Sequence, residues 1–588
     1  MPALDRGLVA VDTDDGVYVR WRLFATEPAD RGFNLYRDGD RVNDDPITDT
    51  TNFLDAAGTA DATYEVRPVV DGSEGDPSKS VAVWDQPYLE IPLQKPGPVE
   101  GPNGGTVTYH ANDASVGDLT GNGRLDLVLQ WSPSNAKDNS RTGKTNQTIL
   151  DAYTLDGDHL WRVELGINVR AGAHYTQFLV YDFDGDGKAE LACRTADGTT
   201  DGEGTVIGDP NADHRNEEGF VLTGPEFLTV FDGETGAALD TVDYRPARGD
   251  ICDWGDCWGN RGDRFLAGVA YLDGERPSIV NGRGYYEKTM LSAFDFRDGS
   301  IDHRWTFDSD DGNEDYAGQG NHQLAVADVD DDGKDEIVYG AMAIDHDGTG
   351  LYSTGWGHGD AMHVGDLDPD REGLEVFQIH EARGPWNATF RDAETGDLIW
   401  GSGKEGDTGR GMAANVDPNH RGVECWASGE PTHTADGERL YREIPSANSA
   451  IWWTGDLTRQ LLDHDWQGEG VGIGLILDWQ ADAKQMDVLE RFSGTRSNNW
   501  TKGNPCLSGD VLGDWREEVI WRTPDSEALR LFVTTHETEH RLYTLLHDPQ
   551  YRLALAWQNV AYNQPPHPSF YVGSDMDAPP TPDIELLD

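Results

Sequence analysis

The pattern of apolar and polar positions changes character near residue 88. Before it, Val17-Tyr-Val-Arg-Trp21-Arg alternates at period two, and Phe33-Asn-Leu-Tyr-Arg-Asp-Gly39 runs into a turn. Thr51-Asn-Phe53-Leu-Asp follows, and Ala62-Thr-Tyr64-Glu-Val-Arg-Pro-Val alternates again. Short strands about ten residues apart, with an early Trp for the core, predict a fibronectin-III-like β-sandwich over residues 1–88.

From residue 89 to 588 the chain reads as strand pairs joined by Asp/Gly/Thr turns, such as Phe227-Leu-Thr-Val-Phe231 and Ala388-Thr-Phe-Arg-Asp392. Acidic loops punctuate them. The clearest carries Asp182, Asp184, Asp186 and Glu190, and it is repeated with Asp328, Asp330, Asp332 and Glu336. A looser copy has Asp118, Asn122 and Asp126, and degenerate copies begin at Asp366 (with Asp368), Asn415 and Asp510. Carboxylates at positions 1, 3 and 5, a turn glycine and a closing acid suit a hard, oxygen-seeking cation. An EF-hand shares the early spacing but is flanked by helices, whereas Leu-Ala-Cys-Arg and Ile-Val-Tyr-Gly after these loops favour strand. Calcium held between strands is therefore expected. Loop starts at 328, 366 and 415 are spaced as one four-stranded blade requires, and wider gaps leave room for further blades. The expected class is all-β, with a propeller of seven or eight blades behind the sandwich.

Charge narrows the partners. With 46 Lys+Arg against 107 Asp+Glu the formal charge is −61, and only 10 of the 46 bases are Lys. Such a charge strains a compact state by self-repulsion. Molar salt, with a screening length of about 3 Å, removes most of that strain. Acidic excess together with scarce Lys points to a salt-rich, halophilic setting, haloarchaeal by expectation. Nucleic acid is excluded as a partner, because phosphate contacts need basic patches. No apolar run reaches the length of a membrane span. The start, Met1-Pro-Ala-Leu-Asp-Arg, lacks the features of a secretion signal, so the chain is expected to be cytoplasmic if complete. Five Cys are too few for a disulfide scaffold. Cys252 and Cys257 are equally suited to a local disulfide or two thiols, no second pair at zinc spacing accompanies them, and Cys193, Cys425 and Cys506 read as buried thiols.

Several stretches, in order and almost end to end, resemble family 11 polysaccharide lyases, the rhamnogalacturonan lyases. They include Ala111-Asn112-Asp-Ala-Ser115, Arg170-Ala-Gly-Ala-His-Tyr-Thr-Gln-Phe and Trp254-Gly-Asp-Cys-Trp-Gly-Asn-Arg. They continue through Gly318-Gln-Gly-Asn-His322, Gly357-His358-Gly-Asp-Ala-Met-His363, Gly409-Arg410-Gly-Met and Trp557-Gln-Asn-Val-Ala-Tyr562. The resemblance implies an eight-bladed propeller behind a small β-sandwich, several structural calcium ions and one in an axial active site. It also implies β-elimination at galacturonate in the rhamnogalacturonan-I backbone of pectin, a substrate that argues for an extracellular enzyme.

Elimination takes the C5 proton beside the uronate carboxylate, so charge developing there must be offset by cations. By resemblance, His322 and His358 help hold the active-site calcium; Asp360 or nearby carbonyls complete the shell and His363 is a further candidate. Imidazole is an unusual calcium ligand, which is why oxygen donors are expected beside it. Arg410 would clamp the uronate. Lys502 is the expected base, its pKa lowered by nearby cations. Tyr562 would protonate the leaving oxygen or stack on a sugar, and Asn499, Trp500, Thr501 and Asn112 would contact substrate. Where the family carries Trp-Asp-Pro-Ser-Asn, this chain has Trp131-Ser132-Pro-Ser-Asn135, which puts one substrate contact in doubt. Internal cleavage by a monomer is expected. A non-catalytic, calcium-stiffened adhesion propeller is the alternative that the acidic loops alone support equally. A glycoside hydrolase with paired carboxylates is a third reading.

Overall fold

A computed structural model describes residues 1–588 apart from 2, 382–383, 404–405, 469, 560–563 and 588. Among the described residues, eight antiparallel sheets follow one another along the chain, each a meander of neighbouring strands. The first uses Tyr109–Gly117, Asp126–Pro133, Ile149–Tyr153 and His159–Glu164, and two short strands, Thr199–Thr200 and Val206–Ile207, widen it. The second uses Phe178–Tyr181, Glu190–Ala196, Glu226–Phe231 and Ala238–Asp243. Five more four-stranded sheets occupy 265–308, 325–353, 362–402, 411–441 and 449–491. The eighth takes three strands from 507–532 and its fourth, Tyr88–Pro92, from the start of this larger region, Leu529 pairing with Ile91.

Burial explains the order of strands within a sheet. First strands such as Phe178–Tyr181, Ala325–Ala327 and Gly411–Ala414 are buried at every position and read as continuous small or apolar runs. They pack against the first strands of neighbouring sheets. Outer strands such as Gln485–Arg491 are largely exposed and carry the charge. The one α-helix among the described residues, Pro549–Ala556, is packed against the first strands of sheets one to four. Pro549 opens it and the Asp548 side chain accepts the Tyr551 N–H, which caps its start. No helix is long and apolar enough to cross a membrane.

Residues before Tyr88 form a β-sandwich-like N-terminal unit of two sheets. One joins Val9–Thr13, Gly16–Arg20 and Asn52–Asp55, and the other centres on Gly32–Arg37 and Thr63–Val70. Its core of Trp21, Phe33, Leu35 and Tyr64 continues into Trp452, Trp515 and Tyr551 of the larger region. The alternation expected at 17–22 therefore gives no solvent-facing side: Val17, Tyr18, Val19 and Arg20 are all buried. Cys252 and Cys257 form a disulfide, and Cys193, Cys425 and Cys506 are buried thiols.

The acidic loops occupy one structural position in six of the eight sheets. The last residue of the first strand pairs with the first residue of the second: Gly117 with Asp126, Tyr181 with Glu190, Ala327 with Glu336, Gly365 with Glu375, Ala414 with Glu424 and Gly509 with Glu518. In most of these turns the closing acid accepts backbone N–H groups from the start of the loop, as Glu190 does from Phe183 at 2.8 Å and Glu424 from Val416 at 2.9 Å. In the third and seventh sheets the acid is replaced by Ser278, opposite Ala270, and Gln460, opposite Ile451.

Candidate active site

One end of sheets three to five gathers an imidazole–carboxylate cluster. A bridge between Asn321 and Gly359 lays the two Gly-flanked motifs side by side. Gly359 is required there, since a Cβ would fall 1.8 Å from the Ile379 carbonyl oxygen. The result places ligand atoms of His322, His358, Asp360 and Glu381 within 4.8 Å of one another. His322 Nε2 lies 3.3 Å from Asp360 Oδ1, and His358 Nε2 lies 3.7 Å from Glu381 Oε1. Tyr285 and Tyr286 fix the imidazoles: their hydroxyls lie 3.0 and 3.2 Å from His322 Nδ1 and Nε2, and the Tyr285 ring stacks on His358. His358 Nδ1 is bonded to the Gly320 carbonyl at 2.5 Å, which leaves Nε2 to face Glu381. Burial holds His322 well below the usual imidazole range, so it is a neutral donor, as a metal ligand must be.

Glu381 was not anticipated; it sits at a strand exit in Gln378-Ile-His380-Glu381, without the Gly-flanked signature of the two His loops. His363 is a correction. It lies on the fully buried strand Met362–Gly365, where its Nδ1 lies 2.9 Å from His567 Nε2, and it is not in the cluster.

Lys502 and Arg410 converge on the same region from sheets six and eight. Arg410 precedes Gly411–Ala414 and is aimed by Asn448, whose Oδ1 accepts from Nε at 3.2 Å, and by Thr501, whose Oγ1 accepts from Nη2 at 3.2 Å. Lys502 ends the short 3₁₀ turn Trp500–Lys502. Asn499 and Trp500 before it both hold a left-handed φ of 56°, an uncommon pair for side-chain-bearing residues and one found where function dictates backbone shape. Desolvation and the Arg410 charge push Lys502 well below the usual lysine range, against the opposing pull of Asp360 and Asp138. His174, Asp138 and Arg264 complete the surroundings; His174 lies 5.4 Å from His322, ring to ring, and 3.7 Å from Asp138.

Asn499 Nδ2 donates to Asp113 Oδ1 at 3.3 Å, which brings it beside the bulge at Asn112 and Asp113 in Tyr109–Gly117. Trp500 is 62% exposed. Tyr562 lies outside the described residues. Ser132 is buried opposite His110.

The loop carboxylates separate into two groups. Asp182, Asp184 and Glu190 gather within 4.8 Å, as do Asp328, Asp330 and Asp332, and Asp332, Glu336 and His346. Asp186 instead accepts the Lys188 N–H. Asp118 and Asp126 supply only two carboxylates at the first loop, where the Asn122 amide donates to Thr120. Asp366 and Asp368 join no such cluster among the described residues; each accepts a backbone N–H, from Tyr571 and Asp370. Glu336 Oε1, Glu424 Oε1 and Asp366 Oδ1 are buried without a hydrogen-bond partner. Buried carboxylate oxygens left open in this way, beside others that are satisfied, fit a cation donor set.

Burial raises Glu190 to about 9, and Glu336, Glu375 and Glu424 to about 8, all from about 4.5. An acid raised on folding contributes stability below its unfolded value that is lost as pH rises through its folded value. Chelated protein is therefore expected to melt at progressively lower temperature from about pH 5 to 9, and calcium should abolish that slope. A flat profile in chelator would remove the cations from these turns.

At the eighth turn, Asp510–Asp514, Asp510 Oδ1 is buried without a hydrogen-bond partner, while its Oδ2 accepts from Thr544 and the Leu545 N–H at 2.7 Å. Its other acids are met by protein: the Arg20 guanidinium bonds Glu518 and lies 3.4 Å from Asp514, while Arg516 pairs with Asp514 at 2.7 Å. Arg22 donates to the Val511 carbonyl beside it. A side chain of the N-terminal unit thus neutralises two acids of this turn.

With this geometry in view, residues 88–582 match the model of rhamnogalacturonan lyase family 11, C-terminal domain, and residues 1–84 that of the rhamnogalacturonan I lyase β-sheet domain. The chain is 58% identical to the rhamnogalacturonan exolyase YesX of Bacillus subtilis, over 100% of this chain and 97% of that protein. It is 56% identical to the endolyase YesW of the same organism, over 99% and 93%. The crystal structure of YesX superposes with a TM-score of 0.98 over 100% of this chain and 99% of that one. That of a Bacillus licheniformis family 11 lyase, 58% identical, superposes with 0.96 over the same shares.

Proposed function

We propose that this chain, which belongs to rhamnogalacturonan lyase family 11, cleaves rhamnogalacturonan-I by calcium-assisted β-elimination at galacturonate, with Lys502 as the base. The carrying observation is the convergence of a lowered-pKa amine, an aimed guanidinium and a four-residue cation donor set in one region. In this reading Arg410 binds the uronate carboxylate, held in place by Asn448 and Thr501. His322, His358, Asp360 and Glu381 would hold calcium, which supplies charge stabilisation at that carboxylate. The neutral Lys502 amine accepts the C5 proton as the bond to the C4 oxygen breaks, and the desolvated surroundings keep it neutral. Tyr562 is proposed to protonate the leaving oxygen. Asn499, Thr501 and Asn112 are proposed to bond sugar hydroxyls.

The eight sheets are read as blades of a closed propeller over 89–588, sealed by Tyr88–Pro92, with a fibronectin-III-like sandwich over 1–88. Cleavage inside the chain is part of this reading, and relatives of both modes are nearly equally similar. The charge of −61 supports work in concentrated salt.

Ultraviolet absorbance during digestion of rhamnogalacturonan-I tests this reading. In molar salt with calcium, absorbance from an unsaturated uronate should rise and viscosity should fall early; chelator should reduce the rate, and dilute buffer should lower it. Reducing ends without absorbance would mean hydrolysis, full activity in chelator would remove calcium from catalysis, and slow viscosity loss would mean release from chain ends.

A further inference from the structure

Two exposed tryptophans form a shelf beside the reactive region, and one of them, Trp466, has no part in the mechanism above. Trp466 is 42% exposed and Trp500 62%, and their rings meet edge to face at 5.6 Å. Indoles this exposed and this close leave an apolar surface of the kind that marks a ligand site.

The shelf is built into the fold. Trp466 and His464 share one face of Gln460–Gly468, two residues apart, and face Gly472 and Gly474 across the hairpin. His464 packs on Trp466 at 5.6 Å and is itself pinned by Ser497 Oγ at 2.8 Å. A Cβ on Gly472 would fall 2.5 Å from His464 Nδ1, and one on Gly470, with φ of +81°, 2.4 Å from the Trp500 ring. The glycines therefore make room for the rings, and the rings are held before any ligand arrives. The same strand reaches the reactive groups, since Asp463 Oδ1 accepts from Asn448 at 2.7 Å and Asn448 aims Arg410.

We propose that Trp466, with Trp500, forms a stacking subsite for a neutral 6-deoxyhexose of the polysaccharide, outside the sugars joined by the broken bond. The π face is negative, so it repels a uronate and favours the apolar face and methyl group of a deoxy sugar. In a backbone that alternates the two sugars, seating the neutral one here keeps the uronate in register with Arg410 and Lys502. The subsite rests on the lyase reading and makes activity depend on chain length.

Steady-state kinetics of Trp466→Ala on the polymer and on the shortest oligosaccharide that the wild type cleaves test the shelf. The expected result is a KM for polymer raised about 3–10-fold with kcat within twofold, and no change on the short substrate. Trp466→Phe, which keeps an apolar ring, should fall between wild type and alanine, and it carries the test if the alanine variant melts early. Equal KM on polymer for wild type and both variants overturns the subsite, as does an equal loss on both substrates. Wild-type protein that yields no unsaturated product overturns the lyase reading instead.

Discussion

Lys502→Met is expected to lower kcat by about 10²–10⁴-fold while substrate affinity changes only a few-fold, because a positioned base contributes on that scale. Lys502→Arg should be as inactive, although it keeps the charge and much of the shape, since a guanidinium stays protonated. That comparison separates a base from a cation that merely binds uronate. Desolvation and Arg410 hold the Lys502 amine well below the ordinary lysine range. The sign follows: the rate should rise with pH through the lowered value, as the neutral form accumulates. Rapid-quench or absorbance kinetics across pH read all three, and wild-type rates in either variant would take Lys502 out of the reaction.

Arg20→Met is expected to destabilise the protein by about 3–5 kcal/mol, the cost of leaving a buried charge uncompensated. Arg20, Asp514 and Glu518 are all at most 1% exposed, and Arg20 joins the N-terminal unit to the eighth turn. Arg20→Met/Glu518→Gln should cost less than the two single changes added, by about 0.5–3 kcal/mol of coupling. Denaturant melts in calcium-saturated buffer measure this. A loss below about 1 kcal/mol for Arg20→Met would mean that something else compensates the turn.

Much of this fold was legible because its repeat is chemical. Aspartates 182 and 328 announce their turns through charge and glycine, and each turn does open the second strand of a sheet. Two turns stayed hidden because Gln460 and Ser278 stand where the acid would be. The Gln460 amide oxygen accepts from both Trp453 and Thr454 at 3.0 Å, giving the backbone what a carboxylate gives without the charge that makes the motif visible. At the eighth turn the acids were plain, but the Arg20 that pairs with Asp514 and Glu518 lies 490 positions earlier in sequence than Asp510 and meets them only through folding. At the site, His322, His358 and Asp360 came together as their matching motifs suggested. His363 did not; it lies on the buried strand Met362–Gly365 and bonds His567. Glu381, Tyr285 and Tyr286 carry no local signature, and their roles arise from loops meeting across sheets.

A crystal structure of Lys502→Ala with calcium and a rhamnogalacturonan oligosaccharide tests the central claim most directly. The account predicts a calcium ion at about 2.3–2.6 Å from oxygens of Asp360 and the uronate, Arg410 bonded to that uronate, and C5–H aimed at the space the Lys502 amine leaves. A uronate bound away from Arg410, or a His322–His358–Asp360–Glu381 cluster without metal at saturating calcium, would contradict it.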